Sequence, residues 1–67
     1  MVIKVFNESG VTQYKLKEGM LIEGYEVISL SVNNAGSRTA IIACDMNGKP
    51  IRTLYIPSNW PIEVTTI

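Results

Sequence analysis

The chain contains no histidine, a single cysteine at Cys44, a single tryptophan at Trp60, and no excess of charge of either sign, with six basic residues against six acidic ones. Each shortage closes off a class of chemistry. Without an imidazole, Ser/His/Asp and Cys/His nucleophilic sites are excluded within the chain. A lone thiol cannot form an internal disulfide, and the lack of His and further Cys disfavours structural zinc. Zero net charge argues against non-specific nucleic-acid binding, which needs basic side chains to displace counterions from phosphates. No run of about 18 apolar residues is present to span a bilayer. The opening Met1-Val2-Ile3-Lys4-Val5-Phe6 is too short for a signal peptide and lacks a small-residue cleavage site. The expectation is a soluble, cytoplasmic protein that is not an enzyme and carries no cofactor.

What is present is apolar. Of 67 residues, 46% are hydrophobic, enough for one compact core and one domain spanning 1–67. A chain of this size buries only about 60% of the surface it exposes when unfolded. With disulfide and zinc unavailable as staples, homo-oligomerisation is the remaining way to supplement stability.

The pattern is β throughout, with dense β-branched residues and a turn signal every eight to twelve positions. Strands are predicted at Val2 to Phe6 and Val11 to Leu16, joined by the turn cluster Asn7-Glu8-Ser9-Gly10. The segment from Tyr25 to Val32 alternates Ile28, Leu30 and Val32 against Ser29 and Ser31, and Asn33 to Ser37 reads as a turn. Arg38 to Asp45 is apolar on both faces at Ala40 to Cys44, as a central strand would be. Asn47-Gly48 signals a hairpin. Pro50 and Pro57 bracket a strand from Ile51 to Ile56, Ser58 to Pro61 forms a tight or 3₁₀ turn, and Ile62 to Ile67 closes the chain as a last strand. Five or six strands in so short a chain predict an all-β fold, a small, strongly bent barrel.

Two segments resemble the Src-homology-3 family. Phe6 to Gly19 runs as an aromatic, a polar loop and an apolar-x-apolar-x-x-Gly segment, like that family's opening. Leu54-Tyr55-Ile56-Pro57-Ser58-Asn59-Trp60 is similar to its closing apolar-Pro-Ser-Asn-Tyr motif, which leads through a 3₁₀ turn into the last strand. Asn47-Gly48 falls where the family places its distal hairpin. The resemblance implies a five- to six-stranded barrel that binds other proteins. Of the family's peptide groove, Phe6, Pro57, Asn59 and Trp60 remain at matching positions; with Tyr55, from the neighbouring strand, they are the candidate partner-binding residues. The departures lie in the same region. Val11-Thr12-Gln13 replaces the acidic loop tip, Lys4 stands for an aromatic, Ser37 and Arg38 occupy the neighbourhood of the usual Trp, and Pro61 replaces an apolar strand residue.

Single residues carry competing readings. Trp60 is either a rigid surface anchor or a plug at one end of the barrel. Cys44 beside Asp45 is read as a small buried hydrophobe, because a neighbouring carboxylate opposes thiolate formation. Arg38 and Arg52 are read as edge charges that deter aggregation, with an anion clasp as the other reading. Glu18, Glu23 and Glu26 match no calcium loop and are read as surface carboxylates. The leading functional expectation is a protein-binding module, in the manner of a small accessory or inhibitory protein. The alternatives are a self-assembling structural subunit, pairing through Ala40 to Cys44 or Ile62 to Ile67, and, weakest, a nucleic-acid-binding barrel.

Overall fold

A computed structural model describes residues 1–66. Eight strands and no helix are found among them: β1 (Val2–Phe6), β2 (Thr12–Lys17), β3 (Leu21–Ile22), β4 (Tyr25–Glu26), β5 (Ser29–Ala35), β6 (Arg38–Cys44), β7 (Pro50–Pro57) and β8 (Ile62–Thr65). The all-β expectation holds. The strands form three antiparallel sheets, β2-β1-β8, β3-β4 and β5-β6-β7, and no continuous ladder of hydrogen bonds joins them into a closed cylinder. Ile67, at the end of the last predicted strand, lies outside the described residues.

Burial follows strand alternation. In β1, Ile3 and Val5 are fully buried while Val2, Lys4 and Phe6 are half-buried on the opposite face. Ile41 and Ala43 of β6 and Ile56 of β7 turn inward from the other three-stranded sheet, and Leu16, Ile22, Val27 and Leu30 complete the core. β6 is the central strand of its sheet, with Ala40 to Cys44 paired to β5 on one side and β7 on the other. Its backbone therefore has no free edge. An assembly through this strand would have to use its half-buried outward side chains, Ile42 and Cys44, since Ala40 on the same face is itself buried.

Two hairpin loops are built alike. In Asn7 to Val11, the Asn7 carboxamide oxygen accepts from Ser9 N at 2.9 Å and Val11 N at 3.0 Å, Gly10 N donates to Asn7 O, and Asn7 N donates to Val11 O. In Asp45 to Lys49, the Asp45 carboxylate accepts from Asn47 N and Lys49 N, both at 2.9 Å, with the same two backbone bonds. The glycine three places on takes positive φ in both, 83° at Gly10 and 75° at Gly48. The hairpin expected at Asn47-Gly48 is present between β6 and β7. Asn47 does not adopt positive φ, because the Asp45 side chain fixes a three-residue loop that needs only one left-handed residue, at glycine.

The predicted strand Tyr25 to Val32 is interrupted. Val27 N donates to Met20 O and Val27 O accepts from Gly19 N, whereas Ile28 N donates to Cys44 O. The backbone changes partner between these residues, so Val27 takes a fully buried core position and Ile28 stays 44% exposed. The turn expected over Asn33 to Ser37 shrinks to Gly36-Ser37, because β5 pairs with β6 as far as Ala35 opposite Arg38. Positive φ at Gly36 and not at Ser37 is the pattern of a hairpin turn with glycine first. Among the described residues Glu23 is the only non-glycine residue with positive φ, at 52°, and precedes Gly24 at 84° in the β3–β4 turn. A left-handed non-glycine residue costs roughly 1–2 kcal/mol.

Candidate functional site

The closing motif is positioned by β7. Register pairs Tyr55 with Ala40, Ile56 with Thr39 and Pro57 with Arg38. The sequence left open which face of this strand is inside. Ile56 is 2% exposed and belongs to the core, so Tyr55 points outward and is 61% exposed. Beyond Pro57, which is also exposed, the chain bends, and Trp60 N donates to Pro57 O at 3.0 Å. This i to i+3 bond makes the tight turn expected before β8.

Trp60 is half-buried, and its side chain packs against the core cluster from the rim. Phe6, half-buried at the end of β1, donates its N–H to Pro61 O at 2.9 Å, which fastens the strand end to the turn. Asn59 donates its side-chain amide to a Glu8 carboxylate oxygen at 3.3 Å. Phe6, Asn59 and Trp60 are thus held at one corner, while Tyr55 and Pro57 stand on the outward side of the strand that feeds it. Proline at 57 and 61 limits the backbone freedom of this turn, which lowers the ordering cost of any contact made there.

Sequence reasoning missed Glu8. It placed the acidic loop position at Val11-Thr12-Gln13, yet the Asn7 to Val11 loop folds Glu8 against Asn59 and puts a carboxylate at this corner. The only sequence signal was its place inside an Asn-x-x-Gly loop. A second apolar feature was also missed. Leu21 and Tyr14, 68% and 40% exposed, line a groove of about 430 Å³ with Met20, Glu23, Arg52 and Leu54. Arg52 there borders a cleft and does not stand beside Arg38, from which it is separated by most of β7.

The remaining candidates are spread out. Cys44 is half-buried at the end of β6, less enclosed than expected. Glu18 accepts from the N-terminal ammonium of Met1 at 2.7 Å, an exposed pair of the kind worth about 0–1 kcal/mol. No side-chain nitrogen or oxygen among the described residues is buried without a hydrogen-bond partner. No described helix is long and apolar enough to cross a membrane. No family model matches the chain, and the searches of curated proteins and of solved structures returned no match.

Proposed function

We propose that the chain is a non-catalytic protein-binding module with a Src-homology-3-like barrel architecture, acting in the cytoplasm as a small accessory or inhibitory protein on a larger partner. Support for the architecture comes from the order of parts: a hairpin and loop at the start, an Asx-glycine hairpin between β6 and β7, and the Pro57 to Trp60 turn leading into β8. Support for binding comes chiefly from one observation. Tyr55 turns its ring outward beside a proline-braced corner that holds Phe6, Asn59 and Trp60. Rigid aromatic residues at such corners are the usual anchors of protein interfaces.

Tyr55→Ala is the decisive variant, because Tyr55 lies outside the core whereas Trp60 packs against it. Capture from an extract of the native host, with wild type, Tyr55→Ala and Trp60→Ala side by side, should yield a partner retained only by wild type. Tyr55→Ala should keep the wild-type melting temperature. A partner held equally by all three chains would remove this surface from the proposal.

Self-assembly is the second reading, and a specific observation favours it. The outward face of β5-β6-β7 carries Ser29, Ser31, Ile42, Thr53 and Tyr55 in register and no charge short of Arg38 at its tip. Charge depletion marks the centres of protein interfaces. Light scattering that finds only monomer at high concentration would exclude this version.

A further inference from the structure

The opposite sheet carries an unexplained electrostatic arrangement. On the outward face of β2-β1-β8, Lys4 lies directly across from Lys15, and Lys17 follows two residues on, across from Val2. Like charges directly opposite in adjacent strands are destabilising. Half of the six basic residues of a net-neutral chain nevertheless converge here. Val2, Lys4, Lys15, Lys17 and Thr65 line a shallow depression of about 440 Å³. Glu63 is the facing carboxylate, across from Lys4 on β8, but it neither lines the depression nor comes within 4.0 Å of a lysine ammonium. The Met1 ammonium nearby is neutralised by Glu18. Among the described residues, none of the three lysines has an ion-pair partner.

We infer that this depression is an anion-binding site for a compact ligand carrying two or more adjacent phosphate groups. Three ammonium groups spread over two strands match several neighbouring charges better than one. The site contains no arginine, so its grip is that of point charges with freely rotating donors, which suits a dense cluster of negative charge such as a short phosphate chain more than a single planar carboxylate. The Thr65 hydroxyl supplies a further donor. No tyrosine or tryptophan lines the depression, so the phosphates are read and an attached base or sugar is not. The zero net charge that disfavours a long nucleic-acid footprint does not weigh against so small a ligand, which meets only the local charge. The site is separate from the corner around Trp60 and does not rest on it.

The test is titration of the isotope-labelled full chain with inorganic tripolyphosphate, followed by backbone amide shifts. Saturable shifts are expected at Val2, Lys4, Lys15, Lys17 and Thr65, with affinity falling by up to roughly 20- to 40-fold between 50 and 200 mM salt if about three charges are neutralised. Lys4→Gln and Lys15→Gln should each weaken binding several-fold, and Lys15→Gln, which removes one member of the repelling pair and leaves Lys4 facing Glu63, should do so without lowering the melting temperature. Tyr55→Ala, at the proposed protein-binding surface and outside the core, should bind tripolyphosphate as wild type does. ATP should match tripolyphosphate. Non-saturable shifts, shifts shared equally with Lys49, Arg38 and Arg52, or hexaglutamate binding as tightly as tripolyphosphate would each overturn the assignment. ATP binding tenfold tighter than tripolyphosphate would overturn the claim that only phosphate is read.

Discussion

The two three-stranded sheets are alike on their inner faces and opposite on their outer ones. Inside, β2-β1-β8 contributes Ile3, Val5 and Leu16, and β5-β6-β7 contributes Leu30, Ile41, Ala43 and Ile56, a single set of branched aliphatic residues with small fillers. Outside, one sheet displays Lys4, Lys15, Lys17 and Glu63 while the other displays serines, Ile42, Thr53 and Tyr55. Close packing leaves the inner faces little choice of residue, because a mismatch of even one methylene is felt throughout a small core. Solvent places no such demand on the outer faces. Their divergence is what supports assigning the two faces different proposed ligands, phosphate on the lysine side and a protein on the other.

The largest effect should come from the shared interior. Ile3→Ala and Ile41→Ala, one from each sheet, should each lose about 2–5 kcal/mol in urea unfolding, the range for truncating a fully buried isoleucine. Against a total of about 5–15 kcal/mol for a native domain, either leaves the chain near its unfolding threshold. A loss in only one of the two would show that the sheets do not share a core.

The hairpin loops offer a finer contrast, since the same hydrogen bonds are made by a neutral acceptor in one sheet and an ionised one in the other. Asn7→Ala should cost about 1 kcal/mol and Asp45→Ala about 2 kcal/mol by thermal denaturation, because bonds to a charged group are the stronger. Equal losses would mean that solvent screens the Asp45 carboxylate as fully as a neutral amide.

The smallest effect lies on the outer faces and is opposite in sign. Lys15→Gln should raise stability by a few tenths of a kcal/mol by relieving repulsion from Lys4, a gain that shrinks as salt is added. Thr53→Lys, across from Ile42 with no cation facing it, should change stability by less than about 0.5 kcal/mol at any salt concentration. A salt-dependent change in the second variant would show that the charge-free sheet lies within the field of the lysine face.

Much of this fold is legible along the chain. The alternation of Val2 to Phe6, the doubly apolar stretch Ala40 to Cys44 and the proline brackets of β7 are statements about neighbours in sequence, and the strands appear where those neighbours put them. The candidate site was legible only in pieces. That Tyr55 faces out while Ile56 faces in depends on which side of β7 meets Ile41 and Val5, and alternation alone assigns two faces without saying which is covered. Glu8 reached Asn59 across 51 positions of chain, and no local pattern encodes such a meeting. Lys4, read as a stand-in for an aromatic, acquired its significance only from the register that places it across from Lys15.

The sequence by itself determined the β class, the order of strands and turns, and the chemistry excluded by missing histidine and paired cysteine. These follow from short-range sterics, two-residue periodicity and composition, all properties of adjacent residues or of their count. Tertiary structure alone decided the partner change between Val27 and Ile28, the half-buried seat of Trp60 at the rim, and the gathering of three lysines onto one face. Each depends on which strands lie side by side and in what register, a choice set by burial of the whole core and not by any single segment.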